Sequence, residues 1–243
     1  MANKFLNKHF KGIDANMLRL LAILFMLLDH MWATIIPGNQ WMTLVGRMAF
    51  PIFAFQITEG FIHTSNFRRY ALRLFVFALI SEIPFNLFYG SSVFYPFHQN
   101  VLFTLLLGLL AIHGIEKARR EYTFKNIILA IFTLIGTFFL GALGFVDYGV
   151  KGILTVVAFY LFKGFPWAWI GQLISLILLN ITFFNGMYFP VSLLGYSIDI
   201  KVQGFAILSL IPIWLYNGKK GVNNRVLQYS FYIFYPLHIF ILY

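Results

Sequence analysis

The run from Met17 to Ile36, MLRLLAILFMLLDHMWATII, is apolar over the length a helix needs to cross a bilayer, and runs like it recur along the whole chain. In lipid every backbone N–H and C=O must be satisfied without water, so apolar runs of this length fold as helices. Hydropathy places spans at about 17–36, 43–63, 69–90, 99–116, 125–145, 148–163, 166–186, 203–217 and 227–243. The stretch 187–202 fits less well. Its Pro190 and Gly195 read as a re-entrant or interfacial piece. The expected fold is all-α: one transmembrane domain over residues 1–243, a bundle of about nine helices in the lipid bilayer.

Charge gives the orientation. Only 11% of the 243 residues are charged, where soluble domains carry about 25%. The net charge of +10 does not point to nucleic acid, because the basic residues fall in short loops between spans. Lys4, Lys8 and Lys11 precede the first span, and Arg68, Arg69 and Arg73 follow the second. Lys117, Arg119, Arg120 and Lys125 follow the fourth, Lys163 the sixth, and Lys219, Lys220 and Arg225 the eighth. The intervening loops hold little beyond Lys151 and Lys201. That bias puts the basic N-terminus, residues 1–16, in the cytoplasm. Asp14 stands where it could cap a helix leading into the first span.

Three residues of the first span are out of place in lipid: Arg19, Asp29 and His30. Eleven residues of helix come within about 20° of three full turns, so Arg19 and His30 share a face. Ionisable groups at such depth face a bundle interior or a wet cavity and mark function more often than packing. Adjacent residues of a helix diverge by about 100°, so Asp29 is expected to seek Arg47 and leave His30 to another span. In the second span Pro51 is expected to kink or break the helix. Arg47 and Glu59 lie about 18 Å apart along it, so each needs a partner elsewhere, Glu59 from Arg19 or Arg73. Glu82 could pair with Arg47, and Asn86 lies one turn beyond it.

The fourth span opens with Asn100 and Thr104 on one face. An Asn there suits an oxyanion or an orienting role in acyl transfer, and serves equally to bond one helix to another. Asp147 reads as a helix cap. His238 sits at the depth of His30 in the last span, with catalysis and interhelical bonding both open. The histidines lack ligand spacing and there are no cysteines, so no metal site is expected. No phosphate-binding glycine loop or nucleophile-elbow serine is present, which leaves arginines to hold any cofactor.

The segments LLAILFMLLDHMW, GRMAFPIFAFQITEGFIHTSNFRRYALRL, ISEIPFNL, QNVLFTLLLG, VDYG and FYIFYPLHIFIL, in this order, resemble the TraX family. That family is named for the enzyme that acetylates the N-terminus of a conjugative pilin. The spacing of Arg19 and His30 also resembles the first-helix motif of the wider acyltransferase-3 superfamily. The resemblance implies an acyltransferase-3-like membrane fold and acetyl-CoA as donor. It also implies an acceptor amine or hydroxyl at the cell envelope, a pilin-like peptide or a glycan or lipid. Arg68, Arg69, Arg73 and Arg19 would then hold the donor's phosphates. His30, beside Asp29, would act as general base, with Asn100 or His238 supporting the oxyanion. Arg47, Glu59, Glu82, Asn86 and Thr104 would hold the helices or orient substrate. A transporter or flippase of an envelope precursor is the competing class, since buried charges and broken helices serve substrate pathways too.

Overall fold

Outward and buried positions separate along the spans of the computed structural model, which describes residues 12–183, 186–193, 196–222 and 224–243. In α6 (Phe124–Leu143) the large residues Ile131, Phe132, Ile135, Phe139 and Leu143 face outward. Ala130, Thr137 and Gly141 face the bundle. Small residues inside and bulky ones outside are what a helix packed in lipid requires, because lipid solvates the large side chains as well as a core would. Among the described residues four helices are long and apolar enough to cross a membrane alone: α1 (Ala15–Thr34), α4 (Phe67–Gly90), α5 (Val101–Arg120) and α6. Shorter apolar helices complete the bundle: α7 (Gly149–Leu161), α8 (Ala168–Ile177) with a wide π turn over Leu178–Phe183, α9 (Leu210–Trp214) after a 3-10 stretch, and α10 (Arg225–Leu242).

Each expected span therefore has a helical counterpart within a few residues. The helices run alternately between two ends. One end, the basic end, carries Ala15, His63, Lys163 and Lys220; the other is the far end. Asp14 caps α1 itself, accepting from the Met17 N–H at 2.9 Å. At the basic end Ile13 is tied to the loop after α9 through N–H to Leu215 O, 3.0 Å.

The second span divides ahead of Pro51. α2 (Gln40–Gly46) stops, Arg47 and Met48 turn, and α3 (Ala49–His63) begins. Pro51 thus lies in the first turn of α3, where its missing N–H leaves no bond unmade. The break presses close to α1: a Cβ on Gly46 would stand 2.4 Å from the Asp29 Cβ. α3 is the axis of the bundle, buried at nearly every position from Ala49 to Glu59 and packed on α1, α5 and α7. Gly108 of α5 against Val156, and Gly152 of α7 against Thr104 and Phe50, let these helices approach closely.

The stretch 187–202 is neither helix nor bare loop. β1 (Tyr188–Leu193) and β2 (Tyr196–Lys201) form an antiparallel hairpin at the far end, with Tyr188 opposite Lys201. Gly195 lies outside the described residues. A hairpin pairs its own backbone, which meets the demand that suggested a re-entrant piece. Lys201 anchors it by donating to Ile181 O at 2.7 Å, a carbonyl of the π turn.

Candidate functional site

A chamber of about 580 Å³ opens at the basic end between α1, α3, α4, α5 and α10. Its mouth carries Arg19, His63, Arg73, Lys220 and Gln228, and its walls Tyr70, Tyr216, Phe231 and Tyr232. Its inner limit is Val101, Leu102 and Tyr235, near the start of α5 and three residues before His238. Arg19 donates from Nε to Gln56 Oε1 at 3.2 Å and lies over the Phe231 ring at 4.9 Å. Gln56 is fixed in turn by its amide on Ala15 O, 2.9 Å. Arg73 lies over Tyr70 and Tyr232, and its buried Nε has no acceptor among the described residues. The two guanidiniums stand close enough for each to act on the other's charge, and among the described residues neither has a carboxylate partner. Two uncompensated arginines in an aromatic cleft make a site for an anion.

Glu59 does not supply the missing charge. It was expected to hold Arg19 or Arg73; instead it pairs with Lys163 at the end of α7, and His63 lies 3.6 Å away. Arg68 and Arg69, also expected at the donor site, are exposed on the first turn of α4 and outside the chamber lining. Arg73, one turn further on, is the member of that group that reaches inside.

At the far end the expected Asp29–Arg47 pair is present. Arg47 donates to one Asp29 oxygen and Thr43 Oγ1 donates to the other at 2.7 Å. Asp147 also acts on the Arg47 charge. Asp147 itself does not cap α7 as expected: its carboxylate accepts the next residue's N–H at 3.0 Å and lies 3.6 Å from His98. Glu82 pairs with the Asn100 amide and not with Arg47. Asn100, fully buried, donates also to Ala78 O at 2.8 Å and caps α5 through its carbonyl, which accepts the Leu102 N–H at 3.1 Å. Both its amide hydrogens are engaged, so it cannot also donate to an oxyanion. It binds α4 to the start of α5. Thr104 shares the buried face and donates to Asp147 O. Asn86 donates to Val93 O at 3.2 Å, holding the loop after α4.

His30 lies beside this network without joining it. Its Nδ1 meets Nε2 of His238 on α10 at 2.8 Å, and His238 Nδ1 meets Phe234 O at 2.8 Å. The rings are within 4° of parallel with centroids 5.0 Å apart. Given the short N···N distance, they meet edge to edge in a common plane and are not stacked face to face. The Tyr235 ring, at the inner limit of the chamber, lies 5.8 Å from that of His238. Sequence reasoning placed both histidines at one depth, but only the packing of α10 beside α1 and α4 shows that they touch.

These features define a multi-pass membrane protein with an arginine-lined chamber at one end and a polar, histidine-bearing cluster at the other. Among the described residues no group of three metal-ligating side chains exists. The chain belongs to the TraX family, whose model, described as TraX protein, matches residues 14–243. It is similar to a probable fimbrial assembly protein of Dichelobacter nodosus (FimC, serogroup H1), 30% identical over 96% of each chain. No solved structure matches it.

Proposed function

We propose that this protein is an integral membrane acetyltransferase that takes acetyl-CoA from the cytoplasm and passes the acetyl group to an envelope acceptor. The observation that carries the reading is the chamber: it begins at an uncompensated arginine pair and ends one helical turn from the His30–His238 pair. A molecule with phosphates at one end and a long thin arm fits that polarity. Arg19 and Arg73, with Lys220 at the mouth, would hold the phosphates, and the arm would lie among Tyr70, Phe231 and Tyr232. The thioester would then reach Tyr235, beside His238. The positive loops favour the basic end on the cytoplasmic side, where the donor is made.

His30 is the general base of this reading. It takes the proton of the acceptor's N–H or O–H as that atom attacks the thioester carbonyl. Without a cysteine or elbow serine, direct transfer is favoured over a covalent enzyme intermediate. The fimbrial name of the relative and the family's pilin namesake favour a pilin-like peptide as acceptor, with a glycan or lipid as the other candidate. Purified protein in nanodiscs should consume acetyl-CoA when given a cell-envelope extract and label a component of it. His30→Gln, which keeps hydrogen bonding but not basicity, should lower transfer about 100-fold or more while donor binding survives. A flippase would move a precursor with no thioester cleaved. Intact acetyl-CoA after prolonged incubation with every envelope fraction would refute the enzyme reading.

A further inference from the structure

We propose that His238 is a positioning residue that fixes His30 in the tautomer protonated at Nδ1, leaving Nε2 of His30 as the atom that takes the acceptor's proton. The inference rests on the proposed acyl transfer for its consequence, but the tautomer itself follows from bonding alone. A backbone carbonyl only accepts, so His238 Nδ1, 2.8 Å from Phe234 O, must carry a hydrogen. A neutral His238 then has its lone pair on Nε2, and the nitrogen facing it at 2.8 Å, His30 Nδ1, must be the donor.

Neutrality has its own support. The nearest carboxylate, Asp29, is engaged by Arg47 and Thr43, and Arg47 adds a positive charge near the rings. Asp29 still acts on the His30 charge, but Arg47 opposes it, and among the described residues no carboxylate bonds either imidazole. The in-plane, edge-to-edge meeting of the rings is the geometry of one N–H···N bond, and it holds the His30 ring against rotation. A free neutral histidine side chain favours the opposite tautomer, with its hydrogen on Nε2, so the enforced state needs this partner. In the reaction the acceptor's N–H or O–H bond breaks and its proton goes to His30 Nε2, as the new bond to the carbonyl carbon forms. The C–S bond then breaks, and the same proton passes from Nε2 to the departing thiolate. Throughout, His30 keeps its Nδ1–H and donates it to His238 Nε2, which keeps that hydrogen off the working nitrogen.

The tautomer is read by nitrogen NMR of histidine-labelled protein at pH 8, with the two rings assigned by their loss in His30→Gln and His238→Gln. Both rings are expected in the Nδ1–H form. His30 found with its proton on Nε2 overturns the proposal. This measurement needs neither donor nor acceptor, so it stands even if acyl transfer itself fails. For transfer, His238→Ala should cost on the order of 30-fold, since a base in the wrong tautomer is lost to most turnovers. His238→Gln, whose amide oxygen reaches about as far as Nε2 and only accepts, should return to within about threefold of the native rate. A merely space-filling His238 would tolerate Leu as well as Gln. Equal activity of His238→Leu and His238→Gln, or a His238→Gln as slow as His238→Ala, would each refute a positioning role.

Discussion

Removing Arg47 should destabilise the protein more than removing Asp29, and removing both should cost less than the sum. The pair joins α1 to the break between α2 and α3, with side chains 17% and 23% exposed for Asp29 and Arg47. Arg47→Gln leaves a carboxylate in an apolar setting with the Thr43 hydroxyl as its remaining bond, a loss of about 3–4 kcal/mol for an orphaned buried charge. Asp29→Asn is milder. The amide can still accept from Arg47, and Asp147 still acts on the guanidinium, so about 2 kcal/mol is expected. In the double variant neither charge is stranded, and a coupling of about 2 kcal/mol should appear. The four proteins would be compared by detergent-denaturant titration, with tryptophan fluorescence reporting unfolding. Losses that add to within about 0.5 kcal/mol would show that Asp29 and Arg47 act independently, and that Asp147 is the true counter-ion.

Two further outcomes are expected. Arg73→Ala should weaken acetyl-CoA binding about tenfold, the worth of one charge-assisted contact, whereas Arg69→Ala should change it less than about twofold. Equilibrium dialysis would decide, and the reverse ranking would move the phosphates outside the chamber. The chain has no native cysteine, so orientation can be read from single substitutions. With an impermeant thiol reagent on intact cells, Ser92→Cys should label and Arg120→Cys should not. The opposite pattern would invert the protein and place the chamber away from the donor.

The spans were legible because hydropathy and loop charge report a residue's environment, and in lipid that environment nearly dictates helix. Depth was legible for the same reason, which is why Asp29 and Arg47, or His30 and His238, could be set at one level. Lateral neighbours were not. Glu59 took Lys163 over Arg19 because α3 packs on α7, and no periodicity within either helix says so. Lys163 was readable as a cation at the same depth, a signal that was present and ambiguous. Asn100 looked free to donate until its buried position showed both hydrogens committed to α4. The hairpin was half legible: Pro190 and Gly195 set 187–202 apart from the helices, but which backbone groups pair across two strands leaves no mark in hydropathy.

α10 has a consequence for biogenesis. It supplies one wall of the chamber through Gln228, Phe231, Tyr232 and Tyr235, and it carries the histidine that holds His30, 208 residues earlier in the chain. During synthesis the first span enters the membrane early, with His30 unrestrained and the cleft open along one side. Only when α10 inserts against α1 and α4 do the wall and the partner arrive together. On the proposed reading, a nascent or stalled chain that lacks this helix would have neither a closed chamber nor a fixed base, so the order of translation itself would work as a safety catch.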